Sequence, residues 1–335
     1  MSGGREALFH PFLGATLWAK ARLSPLAGDA SNRRYLRAQD AVMGSAVLMD
    51  APPETGEDIR PFCKVTDLLR SRGLSAPRIE ARDAAQGLLL LEDLGDALFA
   101  KVAANSPGTE RQMYEAATDL IAHLANDPGP WPEISPYDVP TYLAEARLLT
   151  DWYLPGHGCP VTPKVQAEYD TLIQDLCAGT GAQGATLTLR DYHAENLIWL
   201  PKRAGLARVG LLDYQDALVG PPAYDLVSLL EDARRDVSDS LAQDMIARFV
   251  QATGAGTDAF ARDYAILGAQ RNLKILGIFA RLWLRDGKPG YLGLLDRVWG
   301  HLQRDLAHPA LAPLSAWIAR HVPAPQPDRL RAART

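Results

Sequence analysis

Cysteine is scarce in this sequence, and so is anything that would tie the chain to a membrane or a nucleic acid. Three cysteines, Cys63, Cys159 and Cys177, occur in 335 residues. They are scattered, odd in number and form no C-x-x-C pair, which argues for free buried thiols rather than a disulfide framework or a zinc site. No apolar run approaches the ~20 residues of a bilayer span. The stretch "MSGGREALFHPFLG" lacks a basic segment followed by a long apolar one, so it does not read as a signal peptide, and the expected location is the cytoplasm. Positive charge is not in excess: 35 Lys and Arg face 40 Asp and Glu, a net −5, which leaves no basic field for nucleic acid. No obligate protein partner is evident. A P-loop, G-x-x-x-x-G-K-[ST], is missing too, which excludes that class of nucleotide hydrolase. The G-x-G-x-x-G match "GTGAQG" at 179–184 follows a helix pattern and leads into a strand pattern. A dinucleotide fingerprint needs the opposite order, so this one reads as a helix end and loop.

What remains is ordinary globular composition, 47% hydrophobic and 22% charged, in a chain long enough for two lobes. From about Arg22 to Glu92 the pattern runs strands, helix, strands. "RRYLRAQ" (33–39) and "SAVLMD" (45–50) read as short strands. Ile59, Phe62, Val65, Leu68 and Leu69 then recur at helical spacing, with Gly73 as the stop. "RIEARD" and "GLLLLED" read as a hairpin whose second strand is fully buried. After Asp93 the periodicity is helical almost to the end, broken by a β interruption at 185–213. The expected division is residues 1–93 as a small α+β lobe, 94–322 as a mainly helical lobe, and 323–335 as a frayed, Pro- and Arg-rich tail.

The β interruption carries the chemistry. "LRDYHAENLIWL" (189–200) places Asp191 and Asn196 in the spacing D-x-x-x-x-N, and the apolar strand "RVGLLDYQD" then delivers Asp213. Phosphoryl transfer from a nucleotide needs this set of groups. One carboxylate, Asp191, orients an attacking hydroxyl and accepts its proton. An amide oxygen and a second carboxylate, Asn196 and Asp213, hold Mg²⁺ on the phosphates. Asp216 reads equally as a further metal-proximal carboxylate or a solvent-facing turn acid, and Glu195 as a solvated loop acid.

"LRDYHAENLIWL" followed by "VGLLDYQDALVGPPAYDLVSLL" resembles the aminoglycoside phosphotransferase and choline kinase-like family of small-molecule kinases. There a loop H-x-D-x-H-x-x-N and a following I-D-[FWY] strand do the chemistry. The resemblance implies a two-lobed, protein-kinase-like α+β fold that binds ATP with Mg²⁺. It makes Asp191 the catalytic aspartate, Asn196 and Asp213 the metal ligands, His193 a brace of the loop and Asp225 a structural aspartate at a helix start. "LAGDASNRRYLRA" would be the hairpin covering the phosphates, with Gly28, Ser31 and Asn32 at its tip. The segment "LLLLEDL" would end in the hinge, where backbone near Glu92 and Leu94 meets the adenine.

Two departures stand out. Leu189 replaces the family's first histidine, and Met49 stands where a phosphate-binding lysine is expected. Met cannot hold a phosphate, so Arg33 or Arg34 on the neighbouring strand would substitute, or the protein would be a degraded kinase. The pairing of Glu57 with that position is then in doubt as well. "GDASNRRYLR", "VLMDAPPE" and "QRNLKILGIFARLWLRDGKPGYL" together resemble one bacterial branch of the family, which also carries "LMDAPP". That branch phosphorylates the anomeric hydroxyl of N-acetylmuramate or N-acetylglucosamine in cell-wall recycling. The C-terminal helices of the family line the acceptor pocket, so the basic cluster Arg271, Lys274, Arg281, Arg285 and Lys288 would suit an anionic amino sugar. Arg271, Asn272, Lys274, Glu145 and Trp152 are the acceptor candidates. The rival to that cluster is a solvated basic face; the rival to Trp152 as a sugar platform is core packing. Two alternatives stay open: a kinase for an aminoglycoside, choline or another sugar, and a nucleotide-binding pseudokinase scaffold.

Overall fold

The structure is a computed structural model that describes residues 4–26, 32–181 and 184–333. Among these the strands are β1 (Arg22–Pro25), β2 (Arg34–Asp40), β3 (Gly44–Asp50), β4 (Ile79–Asp83), β5 (Leu88–Glu92), β6 (Thr186–Thr188), β7 (Leu197–Trp199), β8 (Val209–Leu211) and β9 (Leu218–Gly220). The α-helices are α1 (Glu6–Gly14), α2 (Arg60–Ser71), α3 (Phe99–Asn105), α4 (Pro107–Ala125), α5 (Val139–Ala146), α6 (Leu154–Gly156) and α7 (Pro163–Ala178). They continue with α8 (Ala223–Leu230), α9 (Asp239–Thr253), α10 (Thr257–Leu284), α11 (Leu295–Asp305), α12 (Ala312–His321) and α13 (Pro327–Ala332). The chain divides into two compact units. One holds the residues up to Ala116 with Glu195–Asp216; the other holds Ala117–Ala194 with the residues from Ala217 on.

The first unit is built on a five-stranded antiparallel sheet, ordered β1-β2-β3-β5-β4. Alternation along β2 and β3 turns Ala38, Ala46 and Leu48 towards α1, where they pack with Phe9, Leu13, Leu88 and Leu90. Arg5, just before α1, donates to the buried carboxylate of Asp50 at the end of β3 (Nη2–Oδ1 2.6 Å), which fixes the helix over the sheet. Helix α2 buries Phe62, Cys63, Val65, Thr66 and Leu69, a stripe at 3–4-residue spacing. It ends before Gly73, whose φ of +74° suits a glycine. β5 is buried along Leu88–Leu91, as its unbroken apolar run predicts. Gly87 before it has φ +69°, and a Cβ there would stand 2.0 Å from the Ala51 carbonyl oxygen, so only glycine fits. The ribbon β7–β8 belongs to this unit, pinned by the Leu211 amide donating to the Ser75 carbonyl at 3.0 Å.

The second unit is helical apart from the ribbon β6–β9, paired Thr186 with Gly220 through Thr188 with Leu218. Helix α10 is buried on most of its circumference, from Phe260 to Leu282, and so serves as the core of this unit. A π-helical turn, Leu149–Tyr153, follows α5. Residues 323–335, expected as a frayed tail, instead contain α13 with Leu330 fully buried. Trp283 Nε1 donates to the Leu330 carbonyl at 2.7 Å, and the Gln326 amide donates to His157 Nε2 at 3.1 Å. One leucine finding a slot beside Gly156 outweighs the Pro and Arg content that reads as frayed. The first unit also differs from the expected division at 93: it runs on through α3 into α4 and takes back Glu195–Asp216.

Gly277 of α10 marks a close approach to the backbone before the π turn, since a Cβ there would lie 2.2 Å from the Leu148 carbonyl carbon. Gly→Ala in a helix normally gains about 1 kcal/mol of propensity. Here backbone, not a flexible side-chain end, would have to move, and overpacking of this kind costs about 1–3 kcal/mol or more. Gly277→Ala is therefore expected to lower the urea unfolding midpoint. An unchanged or raised midpoint would show that α10 and the π turn can separate freely.

Candidate active site

The loop after β6 is held by buried carboxylates rather than by its own turn chemistry. Asp225, in the first turn of α8, accepts the backbone N–H of Leu189 (2.6 Å) and of Arg190 (2.8 Å). Four residues beyond Arg190, the Ala194 amide donates to Asp232 at 3.2 Å. Between them the Tyr192 hydroxyl donates to the Ala117 carbonyl at 2.9 Å. Between these bonds Arg190 has a φ of +70°, a left-handed conformation that is costly for a non-glycine residue. Asp191 therefore sits on a pinned backbone, half-buried, with its side chain next to the strained residue. Leu189, in place of a polar brace, is simply buried, and its amide does the bracing through Asp225.

Burial pushes the Asp225 carboxyl up to about 7, although the two amides work against the rise. Burial likewise drives the His193 imidazole down to about 4, while Asp232 pulls the other way. A neutral His193 suits its position, with Nε2 3.3 Å from Arg234 Nη1. Asp225 thus meets the loop backbone directly, and His193 meets Arg234.

Asn196 and Asp213 emerge at one end of the β7–β8 ribbon. Leu197 pairs with Leu211, and the Leu212 amide donates to the Asn196 carbonyl at 2.9 Å, so Asp213 follows directly at the same end. Asp213 adopts φ +56°, a second strained non-glycine residue, and its Oδ1 accepts from Gln215 Nε2 at 2.9 Å. The next residue anchors it: the Tyr214 ring stacks on Phe62 at 5.0 Å and its hydroxyl meets Thr66 Oγ1 at 2.7 Å. Among the described residues no three His, Cys, Asp or Glu side chains converge as a metal cluster. An amide oxygen and one carboxylate are hard donors, enough for Mg²⁺ that takes its other ligands from phosphate and water, and wrong for zinc. The donor set fits the expected metal.

Of the residues expected at the nucleotide, Gly28 and Ser31 lie outside the described residues, and Asn32 is exposed. The two arginines part company. Arg34 is committed to Asp50 (Nη2–Oδ2 2.6 Å) and lies over the Phe9 ring, so it serves the packing of α1 instead. Arg33 pairs with Glu57 (Nε–Oε2 2.7 Å). Burial opposes the Arg33 charge, but Glu57, Tyr35 and Asp213 outweigh it and raise the guanidinium's pKa, which places Arg33 within electrostatic reach of Asp213. Met49, paired with Tyr35 across the sheet, is fully buried. The Glu92 amide is already bonded to the Arg78 carbonyl at 2.8 Å, and the Glu92 side chain accepts from Arg203 at 2.7 Å. Among the described residues the backbone N–H and C=O of Leu94 make no hydrogen bond.

The acceptor candidates separate into two groups, both in the second unit. Arg271 and Asn272 are buried and structural: Arg271 donates to Ser228 Oγ at 2.9 Å, and Asn272 Nδ2 to Glu231 (2.7 Å) and Asp305 (2.9 Å). The expectation that they line an acceptor pocket, or a solvated face, gives way to a buried polar network joining α8, α10 and α11. Lys274, three residues on, turns to Glu145 of α5 (Nζ–Oε1 2.8 Å). Glu145 also accepts from Arg190, from the Tyr137 hydroxyl at 2.5 Å and from Gln270 Nε2 at 3.1 Å. Burial alone would raise the Glu145 carboxyl, but Lys274 and Arg190 hold it down at about 2. Trp152, on the π turn, is half-buried and makes no polar contact with either group. Arg190 was not foreseen; its place beside Asp191 was visible in the sequence, its left-handed backbone was not.

The chain belongs to the phosphotransferase enzyme family, whose model matches residues 22–262. It is 38% identical to the N-acetylmuramate/N-acetylglucosamine kinase of Caulobacter vibrioides over 96% of this chain and 98% of that one. The protein of the same name from Pseudomonas aeruginosa is 38% identical over 89% and 88% of the two chains. Among solved structures, a choline/ethanolamine kinase family protein from Mesorhizobium loti superposes with a TM-score of 0.61 at 13% identity, covering 98% and 99%. That last likeness is one of fold: the protein is α+β and protein-kinase-like, and it is a phosphotransferase. No helix among the described residues is long and apolar enough to cross a membrane.

The two perturbed groups of the loop give opposite pH signatures. His193 binds its proton more weakly folded than unfolded, so its contribution is present above pH 6.5 and is lost as pH falls towards 4. Asp225 binds its proton more tightly folded, so its contribution is present below about pH 4 and is lost as pH rises through about 7. Urea midpoints of wild type relative to His193→Gln should fall from pH 6.5 to 4, and relative to Asp225→Asn should fall from pH 4 to 7. Parallel curves for all three proteins would mean that neither group is perturbed.

Proposed function

We propose that the protein is an ATP-dependent kinase of N-acetylmuramate and N-acetylglucosamine, phosphorylating the anomeric 1-hydroxyl and acting in the cytoplasm on sugars released from the cell wall. The observation that carries the reading is the pinned Asp191 loop, intact in a chain so similar along its length to kinases of that name. In the second unit Asp191 orients the 1-hydroxyl and takes its proton as the oxygen attacks phosphorus. In the first unit Asn196 and Asp213 hold Mg²⁺, which when bound would neutralise charge on the phosphates. Arg33, oriented by Glu57 as a charged partner, stands in for the lysine that β3 lacks. The unbonded backbone of Leu94 supports its role as the adenine contact.

Purified protein with MgATP should consume nucleotide with N-acetylmuramate and N-acetylglucosamine, and not with the 1-O-methyl glycoside, kanamycin or choline. Asp191→Asn should lower turnover by about 10²–10⁴-fold, the usual span for loss of a general base. Turnover with kanamycin or choline alone would keep the fold and replace the acceptor. ATP binding without turnover on any of them would make the protein a scaffold.

The arginines offer a sharper check. Arg33→Ala is expected to raise the apparent KM for ATP or lower kcat by about 10-fold or more, the scale of a lost charge-assisted bond. Arg34→Ala should instead lower thermal stability and leave the ATP KM nearly unchanged. The reverse pattern would reassign the phosphate contact to Arg34.

A further inference from the structure

Lys274 lies in an unusual position for an ammonium group. Its side chain is 14% exposed, on a helix that is otherwise core. Its three N–H donors find a single acceptor among the described residues, Glu145 Oε1 at 2.8 Å. Glu145 has no capacity to spare, because Arg190, Tyr137 and Gln270 also donate to it. A largely dehydrated ammonium with donors left over is costly unless something outside the chain accepts them. The Arg190 guanidinium lies on the same carboxylate, 18% exposed and 5.5 Å above the Tyr137 ring. Asp191 is within electrostatic reach of both cations. The corner is rigid, since Gly277, three residues after Lys274, brings α10 against the backbone that follows Glu145.

We infer that Arg190 and Lys274 form the subsite that reads the lactyl carboxylate of N-acetylmuramate, with Glu145 as the anion that holds the two cations in place. This rests on the kinase reading above and deepens it. The charge balance favours a carboxylate over a neutral group. Arg190, Lys274, Glu145 and Asp191 sum to zero while Asp191 is ionised. When Asp191 takes the proton of the 1-hydroxyl, the oxygen–phosphorus bond forms and the nucleotide diphosphate leaves, and the four groups sum to +1. A carboxylate on the acceptor offsets that charge as it develops, so it acts on the transition state more than on the ground state. It also satisfies the Lys274 donors with charge-assisted bonds, about twice as strong as those to an amide or hydroxyl oxygen. N-acetylglucosamine lacks the group and passes through the same site without the gain.

The test compares kcat/KM for N-acetylmuramate, its neutral methyl ester and N-acetylglucosamine, in wild type and in Lys274→Met, Lys274→Arg and Arg190→Gly. Wild type should favour the acid over the ester by about 10–100-fold, the range of one or two charge-assisted bonds. Lys274→Met should erase most of that acid-over-ester preference, lowering kcat/KM for N-acetylmuramate by about 10-fold more than for the ester or N-acetylglucosamine. Lys274→Arg should retain the preference, and Arg190→Gly, which suits the left-handed backbone, should reduce it. Equal turnover of acid and ester by wild type would overturn the assignment while leaving the kinase reading intact. So would equal losses on all acceptors in Lys274→Met, because the corner would then serve the loop or the transferring phosphoryl group. No turnover of any amino sugar by wild type would instead bring down the kinase reading, and this inference with it.

Discussion

The buried carboxylate of Asp225 is the constraint on which the Asp191 loop depends. A carboxylate at the start of α8 costs energy to bury, and the cost is offset by two backbone amides, Leu189 and Arg190, that would otherwise be orphaned. With that bond made, the loop has no freedom to relax Arg190, and the strain at φ +70° is retained where Asp191 must be placed. Asp232 repeats the device at the far end of the loop through the Ala194 amide. A short segment with neither glycine nor proline is thus held from outside by α8 and the residues after it.

Electrostatics in the second unit follow the same logic of buried groups satisfied in sets. Glu145 stays ionised in a largely buried position because Arg190 and Lys274 share it. Glu231 and Asp305 are treated differently. They meet at Asn272, and burial raises both, so the pair favours keeping a proton. One carboxylate is paired with cations beside the loop, and the other two are packed between helices and share the Asn272 amide. In the first unit the Arg33–Glu57 pair shows how a cation can be kept near Asp213 when the expected β3 position is an apolar Met49 in the core.

Much of this was legible in residue order. The apolar run at Leu88–Leu91, the helical stripe from Phe62 to Leu69, and the D-x-x-x-x-N spacing followed by an apolar strand to Asp213 are local patterns, and local patterns survive folding. The trio Asp191, Asn196 and Asp213 needed no structure to be singled out. The long-range pairings were another matter. Arg33 and Arg34 are adjacent and chemically identical, yet the first, just before β2, pairs with Glu57 and the second, at the start of β2, with Asp50. Arg271 and Lys274 share a helix face by spacing, yet the first is enclosed by Ser228 and the second reaches Glu145.

The sequence by itself determined the class of chemistry, because phosphoryl transfer draws on a few side chains at short fixed spacings within one loop and one strand. It also determined the order of the elements, because hydrophobic period is a property of neighbours. Only the tertiary structure decided which cation pairs with Glu57, which with the packing carboxylate Asp50 and which with Glu145, and that the last leucine-bearing turn docks instead of fraying. Those outcomes depend on contacts between residues 16 to 169 positions apart. Such contacts are set by packing that no local pattern encodes.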